Sequence, residues 1–371
     1  MNHSVLKLIC VCGARPNFMK IAPLMRVFRE SGRMQAILVH TGQHYDERMS
    51  RLFFRDLGIP APDVDLEVGS GSHAVQTAEV MKRFEPLCLE HQPDWVIVVG
   101  DVNSTIACAL VAAKLGVRVA HVEAGLRSFD RSMPEEINRV LTDAISDLLF
   151  VTEPSGVENL RREGVPGERV HLVGNVMIDT LLANRERAAA STILQDLGLR
   201  RRGYDLVTLH RPSNVDDRAA LGPILDALLE VAGDRDVVFP IHPRTRKNLA
   251  AFGFEERIGR QSRIRLIEPQ GYLDFLKLMS DAHAVLTDSG GVQEETTILG
   301  VPCLTLRHNT ERPITLTEGT NRLVAPTKQG ILDALAAVDG TAGAAPRMPT
   351  LWDGRAAERI RDVLLSAGAG S

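Results

Sequence analysis

Short apolar, β-prone segments alternate with helical segments along most of this chain, and a glycine or polar turn separates one from the other. Trp95–Val99 is almost entirely apolar, as in a strand covered on both faces of a parallel sheet, and it ends at Gly100 and Asp101. Residues 285–302 repeat the pattern, since an apolar strand is followed by a glycine turn and by helical composition that Gly300 stops. The alternation predicts an α/β fold with two Rossmann-like, doubly wound domains that face a central cleft.

The length of the chain predicts more than one domain. At 371 residues it exceeds what one typical hydrophobic core covers, so two domains of similar size are expected. We place a first domain at residues 1–172 and a second at 173–350, joined by short loops. Residues 351–371 are predicted to form a C-terminal helix, amphipathic over Trp352–Leu365, that closes onto the first domain, followed by a frayed tail.

Composition excludes several classes of protein. Hydrophobic content of 44% and charged content of 24% are ordinary for a globular domain, and a net charge of −4 argues against nucleic-acid binding. No apolar run approaches the length of a membrane span, and the N-terminal segment is interpreted as a first strand instead of a signal peptide. The five cysteines form no C-x-x-C and are expected to be buried, reduced thiols of a cytoplasmic protein. No zinc, P-loop or dinucleotide motif occurs, so neither a metal nor a cofactor is predicted.

The turn at 288–291 is a candidate phosphate site. A helix that begins after two glycines offers unpaired backbone N–H groups and a partial positive charge, and Ser289 adds a hydroxyl donor. Glu295, one turn into the helix, is placed to accept hydrogen bonds from ribose hydroxyls. An ordinary strand–turn–helix joint without a ligand explains the same residues, so the motif alone leaves both interpretations open.

Basic residues at other strand ends suggest further anion contacts. Arg15 and Lys20 follow the first strand, which is predicted to end at Cys12 before a helix from Phe18. His210 and His242 end two successive strands, and each stands beside an arginine. Each histidine alone has a second explanation, as a capping or loop residue.

Three carboxylates fall at the carboxyl ends of strands or in the loops that follow them. Asp101 and Glu123 each come directly after an apolar strand, and Glu135 follows Pro134 at a predicted helix start. Helix capping alone accounts for Glu135 and Glu136. The convergence of Asp101, Glu123 and Glu135 on one edge of a sheet nevertheless favours acid–base chemistry there.

With these residues laid out, the chain resembles the non-hydrolysing UDP-N-acetylglucosamine 2-epimerases, whose two Rossmann-like domains share the arrangement of GT-B glycosyltransferases. The resemblance covers nearly the whole chain, in the order in which the family's motifs occur. The matching blocks are G-A-R-P-N-F-M-K (13–20), T-G-Q-H (41–44), G-D-V-N-S-T (100–105), H-V-E-A-G-L-R-S (121–128), P-E-E-I-N-R (134–139), H-R-P-S-N-V (210–215), H-P-R-T-R (242–246), D-S-G-G-V-Q-E-E (288–295) and T-E-R-P (310–313).

The resemblance implies roles for individual residues. For catalysis it points to Asp101, Glu123, Glu135 and His210. For UDP binding it points to Arg15, His242, Ser289, Gly290, Gly291, Glu295 and Arg312, and we add Lys20, Gln270 and Tyr272 as candidates for the substrate site because they lie at strand-to-helix turns. An allosteric site for a second substrate molecule is matched by Gln43, His44, Glu136, Arg211 and His242. The partners implied are a UDP-sugar substrate and a second copy of the chain in a homodimer.

The chemistry that such residues could perform is elimination and re-addition. The C2 proton of an N-acetylhexosamine is not α to a carbonyl. Transient oxidation at a neighbouring carbon would acidify it, but the chain has no G-x-G-x-x-G motif, so breaking the C1–O bond to UDP is the remaining route. Carboxylates on both faces of the ring would then allow inversion through a glycal, with cationic and backbone donors on the departing diphosphate. The sequence does not assign a carboxylate to a face.

Several functions stay open at the level of sequence. Tyr45-Asp46 and Pro212-Ser213 depart from the family's commonest forms. The G-A-R-P (13–16), T-G-Q-H-Y-D (41–46) and G-L-R-S-F-D (125–130) forms also resemble epimerases of UDP-2,3-diacetamido-2,3-dideoxyglucuronic acid. A hydrolysing epimerase would release N-acetylmannosamine and UDP, and a GT-B glycosyltransferase would move the sugar to an acceptor. A nucleotide-sugar sensor would bind UDP without turnover.

Overall fold

The computed structural model describes residues 5–13, 15–42, 56–59, 61–340 and 348–368, and at residues 15 and 16 it describes the backbone alone. Two compact units make up the chain. The first comprises Met1–Ala183 and Thr350–Ser371, and the second comprises Asn184–Pro349. The domain limits inferred from the sequence, at residues 172 and 350, stay a prediction.

The first unit is built on a parallel sheet. Its seven described strands are β1 (Leu6–Cys12), β2 (Met34–His40), β3 (Val64–Asp65), β4 (Trp95–Val99), β5 (Arg118–Ala124), β6 (Leu148–Val151) and β7 (Val170–Leu172). Their order is β3-β2-β1-β4-β5-β6-β7, so the chain changes direction across the sheet between β1 and β4. Ligands of doubly wound sheets collect at the carboxyl ends of the strands beside such a switch point.

Helices flank this sheet, and its strands are apolar on both faces because helices cover them. The helices are α1 (Arg15–Glu30), α2 (His73–His91), α3 (Asn103–Lys114), α4 (Pro134–Ile145) and α5 (Pro154–Arg162), with a 3₁₀ turn at Gly167–Arg169. A further helix, α6 (Val176–Ala189), begins in the first unit and ends in the second. Val96 and Val98 of β4 are completely buried and pack with Phe84 of α2 and Ala109 of α3. Burial of this kind stabilises the fold by about 25 cal/mol per Å² of apolar surface.

The second unit repeats the plan on a smaller sheet. Its six described strands are β8 (Tyr204–Thr208), β9 (Asp236–Pro240), β10 (Ile264–Ile267), β11 (Ala284–Thr287), β12 (Cys303–Thr305) and β13 (Asn321–Leu323), in the order β10-β9-β8-β11-β12-β13. All of these pairings are parallel. The helices are α7 (Ile193–Asp196), α8 (Pro212–Val215), α9 (Arg218–Val231), α10 (Pro243–Ala251), α11 (Glu255–Gly259), α12 (Tyr272–Ser280), α13 (Gly290–Leu299), α14 (Ile314–Thr317) and α15 (Lys328–Asp339).

The last helix, α16 (Ala356–Gly368), returns to the first unit and packs against α1. Asp179 of α6 accepts hydrogen bonds from the first two amides of α16, at 3.1 and 2.8 Å. Burial raises the pKa of the Asp179 carboxyl against these hydrogen bonds. Trp352, which precedes α16, is completely buried and donates to the carbonyl oxygen of Thr152 at 2.9 Å.

The predicted fold class is confirmed, since both units are α/β with doubly wound parallel sheets and a C-terminal helix packs on the first. Three local details differ. α1 begins at Arg15 and not at Phe18, because a proline is tolerated in the first helical turn. β5 continues to Ala124, so Glu123 lies within the strand and not after it. Trp352 precedes the last helix and does not belong to it.

Other expectations from composition can be compared with the structure. All five cysteines are free and buried, as predicted. Within the described ranges, no helix is both long enough and apolar enough to cross a membrane.

Candidate active site

Glu123 occupies a bulge at the carboxyl end of β5. The pairing of β5 with β6 shifts register between Val122 and Ala124, and Glu123 between them has a φ of 75°. Such a left-handed backbone is unfavourable for a residue with a side chain and persists only where contacts hold it. The bulge directs the Glu123 carboxylate to Lys20 of α1, with which it forms a salt bridge.

The Lys20–Glu123 pair is buried, and Gly100 makes room for it. Each of the two residues is 5% exposed. A Cβ at Gly100 would lie 2.8 Å from Nζ of Lys20 and 3.7 Å from Oε2 of Glu123, and Gly100 itself has a φ of 67°. Lys20 therefore lies against a carboxylate whose charge it compensates, and only glycine allows the approach.

Arg139 of α4 holds the second carboxylate of this edge. Its Nη1 donates to Oδ2 of Asp101 at 2.6 Å, while its Nε and Nη2 donate to Oε2 of Glu136 at 3.0 and 2.6 Å. The Asp101 side chain remains 25% exposed. Asp101 is thus fixed in position by a buried guanidinium and still accessible to a ligand.

Glu136 is buried, and both of its oxygens accept hydrogen bonds within the first unit. Besides Arg139 they accept from N and Oγ of Ser128, both at 3.0 Å, and from N of Phe129 at 2.8 Å. Burial opposes ionisation, but the Ser128 amide and the Arg139 guanidinium outweigh it, so the pKa of Glu136 lies below its usual value. The allosteric role proposed for Glu136 stays a prediction.

Glu135 differs from Asp101 and Glu123 because it is exposed. It follows Pro134, which occupies the first position of α4, and lies one helical turn before Arg139. Glu135 thus lies on the same helix as Arg139, the residue that holds Asp101. Its capping and catalytic interpretations both remain compatible with this position.

His121 and Asp143 form a buried pair that sequence reasoning missed. Nδ1 of His121 lies 2.6 Å from Oδ1 of Asp143, and Nε2 lies 2.7 Å from the carbonyl oxygen of Gly100. Asp143 also accepts from the Gly125 amide at 3.0 Å and pairs with Arg127 at 2.7 Å. The pair fixes the two glycine turns that flank the carboxylates. The only sequence signal was the position of His121 two residues before Glu123.

In the second unit, the N-terminus of α13 is the candidate phosphate site. Ser289 is the N-cap residue, and its side chain makes no capping hydrogen bond. The guanidinium of Arg312 lies over Gly290 so closely that a Cβ at this position would overlap it. Backbone N–H groups that lack a side-chain cap, beside an arginine, form an environment suited to phosphate oxygens.

Two buried carboxylates hold Arg312 in this position. Its Nε lies 2.9 Å from Oε1 of Glu294, and its Nη1 forms a salt bridge with Glu311. Glu311 also accepts from Arg307 at 2.8 Å. Burial would raise the pKa of Glu311, but Arg312 and Arg307 hold it far below its usual value. Arg312 is therefore preorganised by groups that sequence reasoning did not select.

The two candidate histidines lie at the ends of neighbouring strands, and the structure brings them together. His210 follows β8 and His242 follows β9, with ring centroids 5.9 Å apart. His242 is the N-cap of α10, and its Nδ1 accepts from the Arg244 amide at 3.2 Å. His210 is held by Asp288, and Arg211 donates through Nε to the carbonyl oxygen of Asp288 at 2.9 Å.

Glu295 lies one turn into α13 and is buried against Tyr272. The Tyr272 hydroxyl donates to Oε1 of Glu295 at 3.0 Å. Burial raises the pKa of Glu295 to about 8, with a further contribution from Glu294 and an opposing one from Tyr272. Gln270 is half-buried, and its Nε2 donates to the carbonyl oxygen of Glu268 at 2.6 Å.

For three candidate residues the structure gives no side-chain position. Gln43 and His44 lie outside the described residues, and of Arg15 only the backbone at the start of α1 is described. Over the described part of the chain, no three His, Cys, Asp or Glu side chains are grouped so that they could hold a metal ion.

Known proteins are similar to this chain in both sequence and fold. A family model described as UDP-N-acetylglucosamine 2-epimerase matches residues 26–365. A UDP-N-acetylglucosamine 2-epimerase of Methanocaldococcus jannaschii is 44% identical, over 89% of this chain and 91% of its own. A UDP-2,3-diacetamido-2,3-dideoxy-D-glucuronate 2-epimerase of Pseudomonas aeruginosa is 42% identical, over 89% of this chain and 91% of its own.

A solved structure gives the same relationship in three dimensions. The crystal structure of the Methanocaldococcus jannaschii UDP-GlcNAc 2-epimerase, in complex with UDP-GlcNAc and UDP, superposes with a TM-score of 0.90 at 42% identity. The match covers 97% of this chain and 100% of that one.

Proposed function

Because this chain belongs to the UDP-N-acetylglucosamine 2-epimerase family of isomerases, we propose that it interconverts UDP-N-acetylglucosamine and UDP-N-acetylmannosamine without hydrolysis. The observation that carries the proposal is the pair of fixed carboxylates in the first unit. Glu123 is held by Lys20 and Asp101 by Arg139, at the edge of the sheet where ligands of this fold bind. A glycosyltransferase has no evident need for two such groups beside one sugar carbon.

Inversion at C2 requires the C1–O bond to break. The electron pair of that bond leaves with UDP, and the developing oxocarbenium ion acidifies the proton on C2. A carboxylate takes this proton, and the C2–H electron pair forms the C1–C2 double bond of a glycal. In the return step a UDP oxygen attacks C1 while an acid delivers a proton to the opposite face of C2, so atoms and charges balance.

Residues of the second unit are suited to the departing UDP. The backbone N–H groups at the start of α13 and the guanidinium of Arg312 would donate hydrogen bonds to the diphosphate and stabilise the negative charge that develops on it. His210 would add a donor, and Glu295 would accept from ribose hydroxyls. Since Glu294 and Glu311 hold Arg312 in advance, little rearrangement is needed when charge develops.

Residues of the first unit would act on the sugar. Asp101, Glu123 and Glu135 are the candidate acids and bases, and inversion requires one on each face of the ring. Asp101 and Glu123 are held by cations, so they would act as bases from fixed positions. Glu135, which is exposed, would be the third candidate acid or base.

Proton NMR of the protein with UDP-N-acetylglucosamine in D₂O, without added cofactor, tests the proposal. We expect UDP-N-acetylmannosamine with deuterium at C2 and little free UDP. Release of free N-acetylmannosamine with UDP would instead identify a hydrolysing epimerase. Transfer of the sugar to an added acceptor, with no change at C2, would favour a glycosyltransferase.

A second substrate is favoured by a specific observation. The Pseudomonas aeruginosa relative named as an epimerase of UDP-2,3-diacetamido-2,3-dideoxy-D-glucuronate is 42% identical, close to the 44% of the Methanocaldococcus protein. The same NMR experiment with this uronic acid nucleotide decides between the two. If the protein epimerised the uronic acid nucleotide and not UDP-N-acetylglucosamine, the uronic acid nucleotide would be its substrate.

We also infer that the protein acts as a homodimer through α4. This helix buries Glu136 and Arg139, yet Ile137 and Leu141 on its other side are 42% and 49% exposed. A groove of about 470 Å³ lies beside Ile137 and is lined in part by Met81 of α2. A helix with its charged side inward and its apolar side outward is typical of an interface, and a two-fold contact would cover the same surface on both copies.

A further inference from the structure

Asp288, directly after β11, is the residue on which His210 depends. The carboxylate is completely buried. It accepts from the amides of His210 and Arg211, at 3.1 and 2.9 Å, and from Nδ2 of Asn214 at 3.2 Å. Its Oδ1 lies 2.9 Å from Nδ1 of the His210 ring. One buried carboxylate therefore holds both the turn and the imidazole.

The geometry determines which ring nitrogen can face a ligand. A carboxylate that already receives three N–H donors is ionised and can only accept, so Nδ1 of His210 must carry its hydrogen. The His210 imidazole, together with the amides of Arg211 and His210, outweighs burial and holds the pKa of Asp288 below its usual value. Nε2 is left on the other side of the ring, and the His210 side chain is 45% exposed.

We propose that Asp288 is a positioning residue for His210: it fixes the Nδ1–H form of the ring, directs Nε2 toward the ligand, and compensates the charge when Nε2 is also protonated. The inference rests on the proposed function, in which His210 donates to the departing diphosphate. In that role Nε2–H gives a hydrogen bond to a phosphate oxygen, and no covalent bond to the histidine forms. The anion on the Nδ1 side supports the charged ring, as a carboxylate does beside a catalytic histidine.

Other charged groups face the same ring. The His242 ring approaches from the β9 side, with its centroid 5.9 Å from that of His210. Arg211 contributes a guanidinium that reaches the Asp288 carbonyl oxygen, and it lies 3.8 Å from Glu311. Among the described contacts, Asp288 is the carboxylate that touches the His210 ring. The effect of removing the Asp288 charge can therefore be distinguished from effects of His242, Arg211 and Glu311.

A purely structural role for Asp288 is the competing explanation, because the same carboxylate anchors the turn at 210–214. Two variants separate the explanations. Asp288→Asn keeps an oxygen for the backbone amides but removes the charge and the strong acceptor for Nδ1. Asn214→Ala loosens the same turn, since Asn214 bonds both Asp288 and the Leu306 carbonyl oxygen, and it leaves the ring contact in place.

The experiment combines ¹⁵N NMR of histidine-labelled protein, with the His210 signal identified by its loss in His210→Gln, and epimerisation kinetics. We expect wild-type His210 to be protonated at Nδ1 with UDP bound, and Asp288→Asn to shift the neutral ring toward the Nε2–H form. We expect kcat of Asp288→Asn to fall about 10²- to 10⁴-fold with UDP affinity changed less than about threefold, and Asn214→Ala to remain within about threefold of wild type.

Three outcomes would overturn the inference. The first is a wild-type ring protonated on Nε2 alone, which needs no variant to detect. The second is an unchanged His210 spectrum and near-normal kcat in Asp288→Asn. The third is an equal loss of kcat in Asn214→Ala, which would make the turn and not the ring contact decisive. If the wild-type protein turned over no UDP-sugar, the proposed function would be wrong. The NMR spectrum of the His210 ring would still test whether Asp288 fixes its Nδ1–H form.

Discussion

In each unit the candidate site residues lie at the carboxyl ends of the strands of that unit's own sheet. The two units differ in which charge the candidate residues carry and which charge holds them in place. In the first unit the carboxylates are the candidate reacting groups, and cations hold them: Lys20 holds Glu123 and Arg139 holds Asp101. In the second unit the cation and imidazole are the candidate binding groups, and carboxylates hold them, as Glu294 holds Arg312. One type of fold can therefore present either carboxylates or cations to a ligand, because each presented group is paired with a residue of opposite charge.

The comparison predicts that loss of a first-unit carboxylate removes turnover and spares UDP binding. Glu123→Gln should lower kcat about 10²- to 10⁴-fold, because an amide cannot exchange a proton with C2. UDP affinity, measured by calorimetry, should stay within about threefold. Glu163→Gln, which removes a carboxylate paired with Arg127 at 2.7 Å, is the matched control and should keep its activity. Near-normal turnover in Glu123→Gln would break the comparison.

In the second unit, the smallest possible change at the phosphate site should weaken UDP binding. Gly290→Ala places a methyl group where the Arg312 guanidinium now lies, so the guanidinium must move. We expect the Kd for UDP to rise at least about tenfold, or about 1.4 kcal/mol. Gly259→Ala is the control, because a Cβ there meets nothing within 4 Å. Equal affinities in the two variants would show that Arg312 does not bind the diphosphate.

Glu295 of the second unit and Glu136 of the first have pKa values shifted in opposite directions, so their contributions to stability should depend on pH in opposite ways. The pKa of Glu295 is raised from 4.5 to about 8, so its contribution is complete below pH 4.5 and is lost as the pH rises toward 8. The pKa of Glu136 is lowered, so its contribution is present above its ordinary value and is lost as the pH falls. The free energy of unfolding of Glu295→Gln, measured by denaturant titration, should therefore rise relative to that of the wild type between pH 5 and 8, by up to about 1.4 kcal/mol per pH unit. Glu136→Gln should lose relative stability most at neutral pH, and parallel curves would contradict the assignment.

The smallest expected effect concerns α4, whose inward side holds Asp101 through Arg139. Leu141→Glu should convert a dimer into monomers in light scattering and lower kcat a few-fold, since a charge cannot be covered by an apolar partner surface. Leu316→Glu, on the exposed surface of α14, is the control and should leave the mass unchanged. A wild-type monomer would contradict the dimer directly.

Patterns within a few residues of one another were sufficient to predict most of the strands and the class of fold, but not the short strands β3 and β13. A buried strand such as Trp95–Val99 is continuously apolar, and Gly300 does end its helix in the left-handed conformation. Partners distant in sequence could not be predicted in this way. The bulge at Glu123 depends on the register with β6, and its salt bridge joins residues 20 and 123.

The roles of individual turn residues were predicted only in part. Ser289 and the glycines at 290 and 291 were selected because a helix N-terminus is visible in sequence. Asp288, one residue earlier, was interpreted only as part of the turn, because its partners are 74 or more residues away in the chain. Long-range hydrogen bonds of this kind have no local signature.

The position of α16 has a consequence for the order in which the molecule matures. The first unit lacks the helix that Asp179 caps until residues 356–368 have been synthesised, after the whole second unit. At about 5–20 residues per second, the ribosome makes the intervening 184–349 segment in roughly ten to thirty seconds. While the second unit is being made, the unit that began first still exposes the apolar surface that α16 covers. A chain truncated before α16 would therefore contain the whole second unit but a first unit without its last helix.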